Sequence, residues 1–196
     1  MFKIDSGFVG DFKTGDNINY NLMCLRALYK AQNSVTPAET SHFYKPIIST
    51  MAFIVEALLH DLFFRIQNHT KEGVQHIAEK VMRKVQSKTL DQLETYIASA
   101  KKHNLLSDDG TDIYDDLDEL RKIRNRVHIQ NIKKEPPRDE GDIFTFKRQK
   151  STEELLEKIL KHFSNKYKRP EDIQGFVKDF ELPWAQHLKP DADIND

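Results

Sequence analysis

A single, mainly α-helical domain is what this sequence predicts, and three observations carry that prediction. Apolar residues recur at helical spacing in six successive segments. Seven Gly and seven Pro among 196 residues gather at turns and leave long stretches free to be helical. With 38% of the chain hydrophobic, there is enough apolar surface to fill one core. No internal repeat and no linker long enough to separate two domains interrupts residues 1–196, so the helical core is expected over about 16–168, with a C-terminal helix and tail over 169–196.

Asp16 is placed to cap a first helix running to about Asn33, where Leu22, Leu25, Leu28 and Tyr29 share a face and Cys24 packs. A second helix opens near Ser41 or Pro46. Its apolar residues, Ile47, Met51, Ile54, Val55, Leu58, Leu59, Leu62, Phe63 and Ile66, cover so broad an arc that it is expected at the centre of the bundle. Val74, Ile77, Ala78, Val81, Met82 and Val85 mark a third helix. Thr89 and Gln92 stand in capping-box register for a fourth, bearing Leu93, Ile97 and Ala100, before a turn over 104–110. Thr111 starts a fifth helix through about His128, and Ser151 with Glu154 caps a sixth bearing Leu155, Leu156, Ile159, Leu160 and Phe163. Between these two, residues 129–132 and 143–146 flank Pro136, Pro137 and Gly141, which predicts a small β-hairpin or a long loop insertion near 129–147. Pro170 opens a short final helix through Phe180, and Trp184 anchors the tail.

The balance of 30 Lys and Arg against 31 Asp and Glu leaves a formal charge of −1, so any case for nucleic acid has to be made from local patches. The single cysteine excludes an intramolecular disulfide framework and a zinc site built on several thiolates, and it suits a reducing compartment. The longest strictly apolar run, Met51 to Val55, is far short of the ~20 residues that span a bilayer. The start lacks a basic segment followed by a long apolar one. A cytoplasmic protein without membrane contact is expected. Neither glycine-rich phosphate cradle occurs, nor H-E-x-x-H, nor G-x-S-x-G, which argues against a nucleotide-hydrolysing motor, a zinc site and an α/β serine hydrolase. No cofactor and no metal are expected.

The informative segment is the fifth helix. Asp108, Asp109, Asp112, Asp115, Asp116, Asp118 and Glu119 are followed, with no base among them, by Arg121, Lys122, Arg124, Arg126, Lys133 and Lys134, with no acid among these. Acids early and bases late complement the helix dipole, and Asp118 can pair with Arg121 or Lys122 one turn on. At ~100° per residue, however, Arg121, Arg124, Asn125 and His128 fall on one stripe. The apolar arc of Ile113, Leu117, Leu120, Ile123 and Val127 adjoins it, while Lys122 and Arg126 point outward. Guanidiniums supply forked donors for phosphate oxygens and an imidazole can pass protons near neutral pH, so the stripe suits phosphoryl transfer without a metal.

At these residues the sequence resembles the HEPN superfamily, the helical-bundle higher eukaryotes and prokaryotes nucleotide-binding domain, often found as ribonucleases of toxin, abortive-infection and other defence systems. Its hallmark is an Arg, commonly followed by a polar residue such as Asn, with four to six residues between it and a His late in a helix. Arg124-Asn125 has three residues before His128; Arg121 has six, so it takes the family's Arg role first and Arg124 second. The lone acid in an apolar run, Glu56, adds to the likeness. What the resemblance implies is RNA cleavage at a homodimer interface, the ribose 2′-OH attacking the adjacent phosphate. His128 would be general acid or base, Arg121 and Arg124 would neutralise the phosphate, and Asn125 would orient His128 or bind substrate. An antitoxin or defence protein is the implied partner. Gln130 stands where some members carry a Tyr modified by a nucleotidyltransferase antitoxin, so that form of regulation is not expected.

Glu56 either reaches an Arg of the fifth helix as its support or lies on a narrow polar side beside His60. Phe43, Tyr44, Phe63 and Phe64 are assigned to packing. Lys80, Arg83, Lys84 and Lys88 form a basic strip along the third helix, and Lys133, Lys134 and Arg138 extend the hairpin; such strips either track an RNA backbone or are simply solvated. Two other functions compete with the ribonuclease: a non-catalytic interaction bundle whose arginines pair with Asp118 or Glu56, and a module that binds a phosphorylated nucleotide.

Overall fold

The computed structural model describes residues 1–68, 74, 76–88, 90–106, 113–127 and 139–188. Among them the bundle is all-α, as the apolar periodicity predicts, with one two-stranded antiparallel sheet. Its axis is α3 (Tyr44–Asn68), whose Ile47, Ile48, Met51, Ala52, Val55, Leu59, Leu62, Phe63 and Ile66 have no exposed surface. Apolar residues around most of its circumference let it pack at once against α1 (Phe12–Gln32), α4 (Glu79–Gln86), α5 (Leu93–His103), α6 (Ile113–Arg124) and α8 (Phe146–Lys166). The stretch Pro37–Asn68 is long and apolar enough to cross a membrane, but 67% of its most apolar window is buried inside the bundle. Two short helices, α2 (Pro37–Thr40) and α7 (Glu140–Ile143), lead into α3 and α8.

Element boundaries moved where a polar cap decided them. Asp11, not Asp16, caps α1, its carboxylate accepting from the N–H groups of Lys13 and Thr14. Thr145 caps α8 through the Arg148 N–H, so Ser151 and Glu154 lie inside that helix. Glu79 begins α4, leaving Val74 and Ile77 as buried residues ahead of it. Gln92 and Thr95 cap α5, and Asn104, at φ 50, ends it in the left-handed region. Thr89, Thr111 and His128 lie outside the described residues.

The strand expected over 143–146 is instead the end of α7, a cap and the start of α8; its expected partner over 129–132 lies outside the described residues. The final helix from Pro170 is a single 3-10 turn, Glu171–Ile173. The observed sheet pairs β1 (Phe2–Ile4) with β2 (Phe180–Leu182), Phe2 opposite Leu182 and Ile4 opposite Phe180. Strand and core thus take in both ends of the described chain. Ile4, Phe8, Phe180, Leu182 and Trp184 are buried, and the ring of Phe8 meets Phe163 edge-on at 5.5 Å.

Two buried polar networks hold these ends. On α3, Asp61 accepts from the N–H of Gly10 (3.0 Å), the N–H of Asp11 (3.2 Å) and Arg65 Nε (3.1 Å), while Arg65 Nη1 donates to the Tyr167 carbonyl (3.1 Å). On α8, Glu153 accepts from Tyr29 (2.5 Å), Gln149 and Lys150 and lies 2.7 Å from His187 Nε2; Glu157 accepts the N–H groups of His187 and Leu188. Both glutamates are completely buried. Their donors satisfy the rule that a charge removed from water needs partners.

Candidate functional site

The polar edge of α6 faces α3 and the first turn of α5 across a cavity of about 230 Å³. Leu117, Leu120 and Ile123 sink into the core and fix the helix's rotation, which leaves Arg121, Arg124 and Asn125 half-buried along the cavity wall. Arg124 Nη2 donates to both oxygens of Glu56, at 2.9 and 2.6 Å, and Nη1 reaches Asn125 Oδ1 at 3.3 Å. Its Nε is buried without a hydrogen-bond partner. Glu56 therefore does reach an arginine of this helix. It also shares the outer edge of α3 with His60, which is exposed, so the two roles foreseen for it coincide.

Arg121 is engaged at every nitrogen. Its Nε and Nη2 meet Asp118 at 2.9 and 2.7 Å, and Nη1 meets Glu94 of α5 at 3.3 Å. Lys122 shares the same Asp118, and the bonds from Lys122 and Arg121 hold that carboxyl below the usual carboxylate range although burial works against them. Glu94 and Asp91, which also line the cavity, had no signal in the sequence: α5 had to be laid beside α6 before Glu94 met Arg121 and Asp91 joined the lining. The lining carries three carboxylates, Glu56, Asp91 and Glu94, against two guanidiniums. Both cations are thus spent, in large part, on neighbouring acids.

Arg126, expected to point outward, is buried. The helix tightens to a 3-10 turn at Asn125–Val127, which advances each residue by about 120° instead of 100° and swings Arg126 inward. His128, Lys133 and Lys134 lie outside the described residues. Phe63 is buried and stacks on Tyr96 at 5.4 Å, and Phe43 and Tyr44 pack partly buried against the core; Phe64 is 41% exposed and lies along the ring of His60.

On α4, Arg83 is held by Glu79 at 2.6 Å, but Lys80 and Lys84 on the helix and Lys88 just past its end are exposed and meet no carboxylate among the described residues. Lys102 at the end of α5 joins them. Burial and the charges of Lys88, Lys102 and Lys84 push the His103 imidazole below its ordinary value, which marks a positive surface shared by two helices. Among the described residues, no three His, Cys, Asp or Glu side chains stand close enough to hold a metal ion. Comparison with protein-family models, with curated proteins and with solved structures finds no match to this chain.

Proposed function

We propose that the chain is a HEPN-like, metal-independent endoribonuclease or RNA-binding effector that acts as a homodimer in the cytoplasm, in a toxin or phage-defence setting with an antitoxin or other defence partner. The observation that carries this reading is the seat of Arg124. A carboxylate on the central helix fixes its guanidinium, with Nη1 only weakly bonded and Nε unpartnered, one turn before His128 in the sequence. A fixed, incompletely satisfied guanidinium is what a phosphodiester oxygen would need. Arg124 therefore takes the phosphate-binding role ahead of Arg121, whose three nitrogens already face carboxylates.

In this scheme the 2′-oxygen forms a bond to phosphorus as the bond to the 5′-oxygen breaks, leaving a 2′,3′-cyclic phosphate and a 5′-hydroxyl. His128 takes the 2′-proton or supplies the one the leaving oxygen needs, Arg124 neutralises the phosphate, Asn125 positions, and Glu56 holds Arg124 in place. Lys80, Lys84, Lys88 and Lys102 supply an unneutralised track for the backbone. Phe53 and Phe64, 46% and 41% exposed on the Glu56 edge of α3, favour a second copy seated there.

The test is incubation of purified protein with mixed RNA in the presence of a chelator, beside a folded His128→Ala variant. Cleavage to cyclic-phosphate ends by the parent and none by the variant is expected. Full activity in His128→Ala, or cleavage only with added metal, overturns the proposal. The acidic balance of the cavity lining favours a second reading, a non-catalytic bundle whose arginines serve as internal ion pairs. It predicts no cleavage at all and a lowered Tm on removing Arg121 or Arg124.

A further inference from the structure

Away from α6, the turn before α1 and the segment after α8 enclose a cavity of about 440 Å³, a volume in the range of small-ligand sites. Arg169 is the one charged residue in its lining. Its Nη1 donates to the carbonyls of Val9 (3.2 Å) and Gly10 (3.5 Å), and its Nε is buried with no partner. Among the described residues no carboxylate pairs with it, whereas Arg26, Arg65, Arg83, Arg121, Arg124 and Arg148 each have one.

The positive charge at this place is not balanced from beneath. Arg65 lies close enough that burial first, and then Arg169, count against its charge, and the one carboxylate beside it, Asp61, is already taken by Arg65 and by the N–H groups of Gly10 and Asp11. Asp61 serves Arg65, and Arg169 beside it has no carboxylate of its own among the described residues. The cavity's apolar side is equally unusual for a surface: Phe12 and Phe176, both in its lining, are 61% and 73% exposed. Gly175, at φ +85, makes the turn that presents Phe176. At Gly10 a Cβ would lie 2.5 Å from the Arg65 side chain, so the backbone is drawn in tightly under the cavity.

We propose that this cavity binds a small organic anion, its phosphate or carboxylate oxygens on Arg169 and a flat ring against Phe12 and Phe176. A planar guanidinium with a spare edge suits an oxyanion, and exposed phenyl rings gain from covering by another ring. The ligand would be a free ring-bearing monophosphate or the 5′-phosphorylated end of a strand. The site is separate from α6, and the test reads binding alone, so it stands or falls apart from RNA cleavage.

The experiment is titration of the full chain, by calorimetry and by ligand-observed NMR, with phenyl phosphate, inorganic phosphate, phenol, and a 5′-phosphorylated DNA dinucleotide beside its unphosphorylated form. Phenyl phosphate is expected to bind with Kd of about 1 mM or tighter, and phosphate or phenol alone about tenfold or more weakly. Phe176→Ala, which removes an exposed ring, should weaken phenyl phosphate about fivefold or more with Tm unchanged, and Arg169→Gln should abolish binding. A phosphorylated dinucleotide that outbinds phenyl phosphate, in an Arg169-dependent way, assigns the site to strand ends; the reverse assigns it to a free metabolite. Absence of binding by every probe, equal binding of phenol, or affinity untouched by both Phe176→Ala and Arg169→Gln overturns the proposal.

Discussion

Arg65 and Arg124 both reach a carboxylate of the central helix, yet the two pairs sit in different media. Arg65 and Asp61 are 0% and 3% exposed, and Asp61 also binds the backbone ahead of α1. Arg124 and Glu56 are 34% and 26% exposed at the rim of a cavity. The buried pair has no solvent to fall back on, so it serves to fasten the chain's ends to α3. The half-open pair can trade its partner for water or for a phosphate oxygen. Burial of the pair, more than its length, separates a fastening from a site.

The sharpest break in that comparison is Asp61→Asn, which leaves Arg65 charged and buried without its carboxylate. Unfolding by denaturant should show a loss of about 3–5 kcal/mol. A loss below about 1 kcal/mol would mean that water reaches Arg65 and that the two pairs do not differ as described.

Glu153 ranks next. Burial alone would raise its pKa, but bonds from Lys150, Tyr29, Gln149 and His187 outweigh that and hold it below the ordinary carboxylate value. A carboxyl depressed on folding contributes stability above its unfolded pKa, and this is lost as pH falls through the folded value. The protein should therefore lose stability on acidification below the ordinary glutamate range. Glu153→Gln should be less stable by about 2 kcal/mol at neutral pH and should lose less on going to acid. Parallel Tm curves for the two proteins against pH would remove Glu153 from the account.

The buried networks were also the least legible part of the sequence. Nine apolar positions at helical spacing made α3 plain, and all nine are buried, seven of them completely, because hydrophobic periodicity records burial directly. Nothing in the spacing of Asp61, Arg65, Glu153 or Glu157 separates a buried acid from a solvated one; besides neighbours one turn away, their partners include Gly10, Asp11, Tyr29, Tyr167, His187 and Leu188, far off in the sequence. The β1–β2 ladder was hidden for the same reason, being two three-residue strands joined only through the tertiary fold. At the candidate site, the stripe on α6 was readable as far as helical geometry holds. It failed at Arg126, where the 3-10 turn changes the pitch, and it could not foresee Glu94 on a neighbouring helix.

At the exposed end of the comparison, Glu56→Gln should lower stability by no more than about 1 kcal/mol, since its pair is partly solvated. If Glu56 positions Arg124 for phosphate, the same change should lower the rate of RNA cleavage at saturating substrate about tenfold or more, and Glu56→Asp should recover part of it. Unchanged kcat with the parent's Tm would reduce the pair to a surface contact.

The smallest effect concerns the lysines without acids. If Lys84, Lys88 and Lys102 each meet one phosphate of a single strand, changing all three to Gln should lower the slope of log Kd against log salt by about 2, at ~0.7 per contact. Folding should be untouched, because all three are exposed and meet no carboxylate among the described residues. Arg83→Gln, by contrast, removes a cation already engaged by Glu79 and should alter the slope by less than one lysine does. Equal slopes for parent and triple variant would mean that the backbone takes another path and that this surface is only solvated.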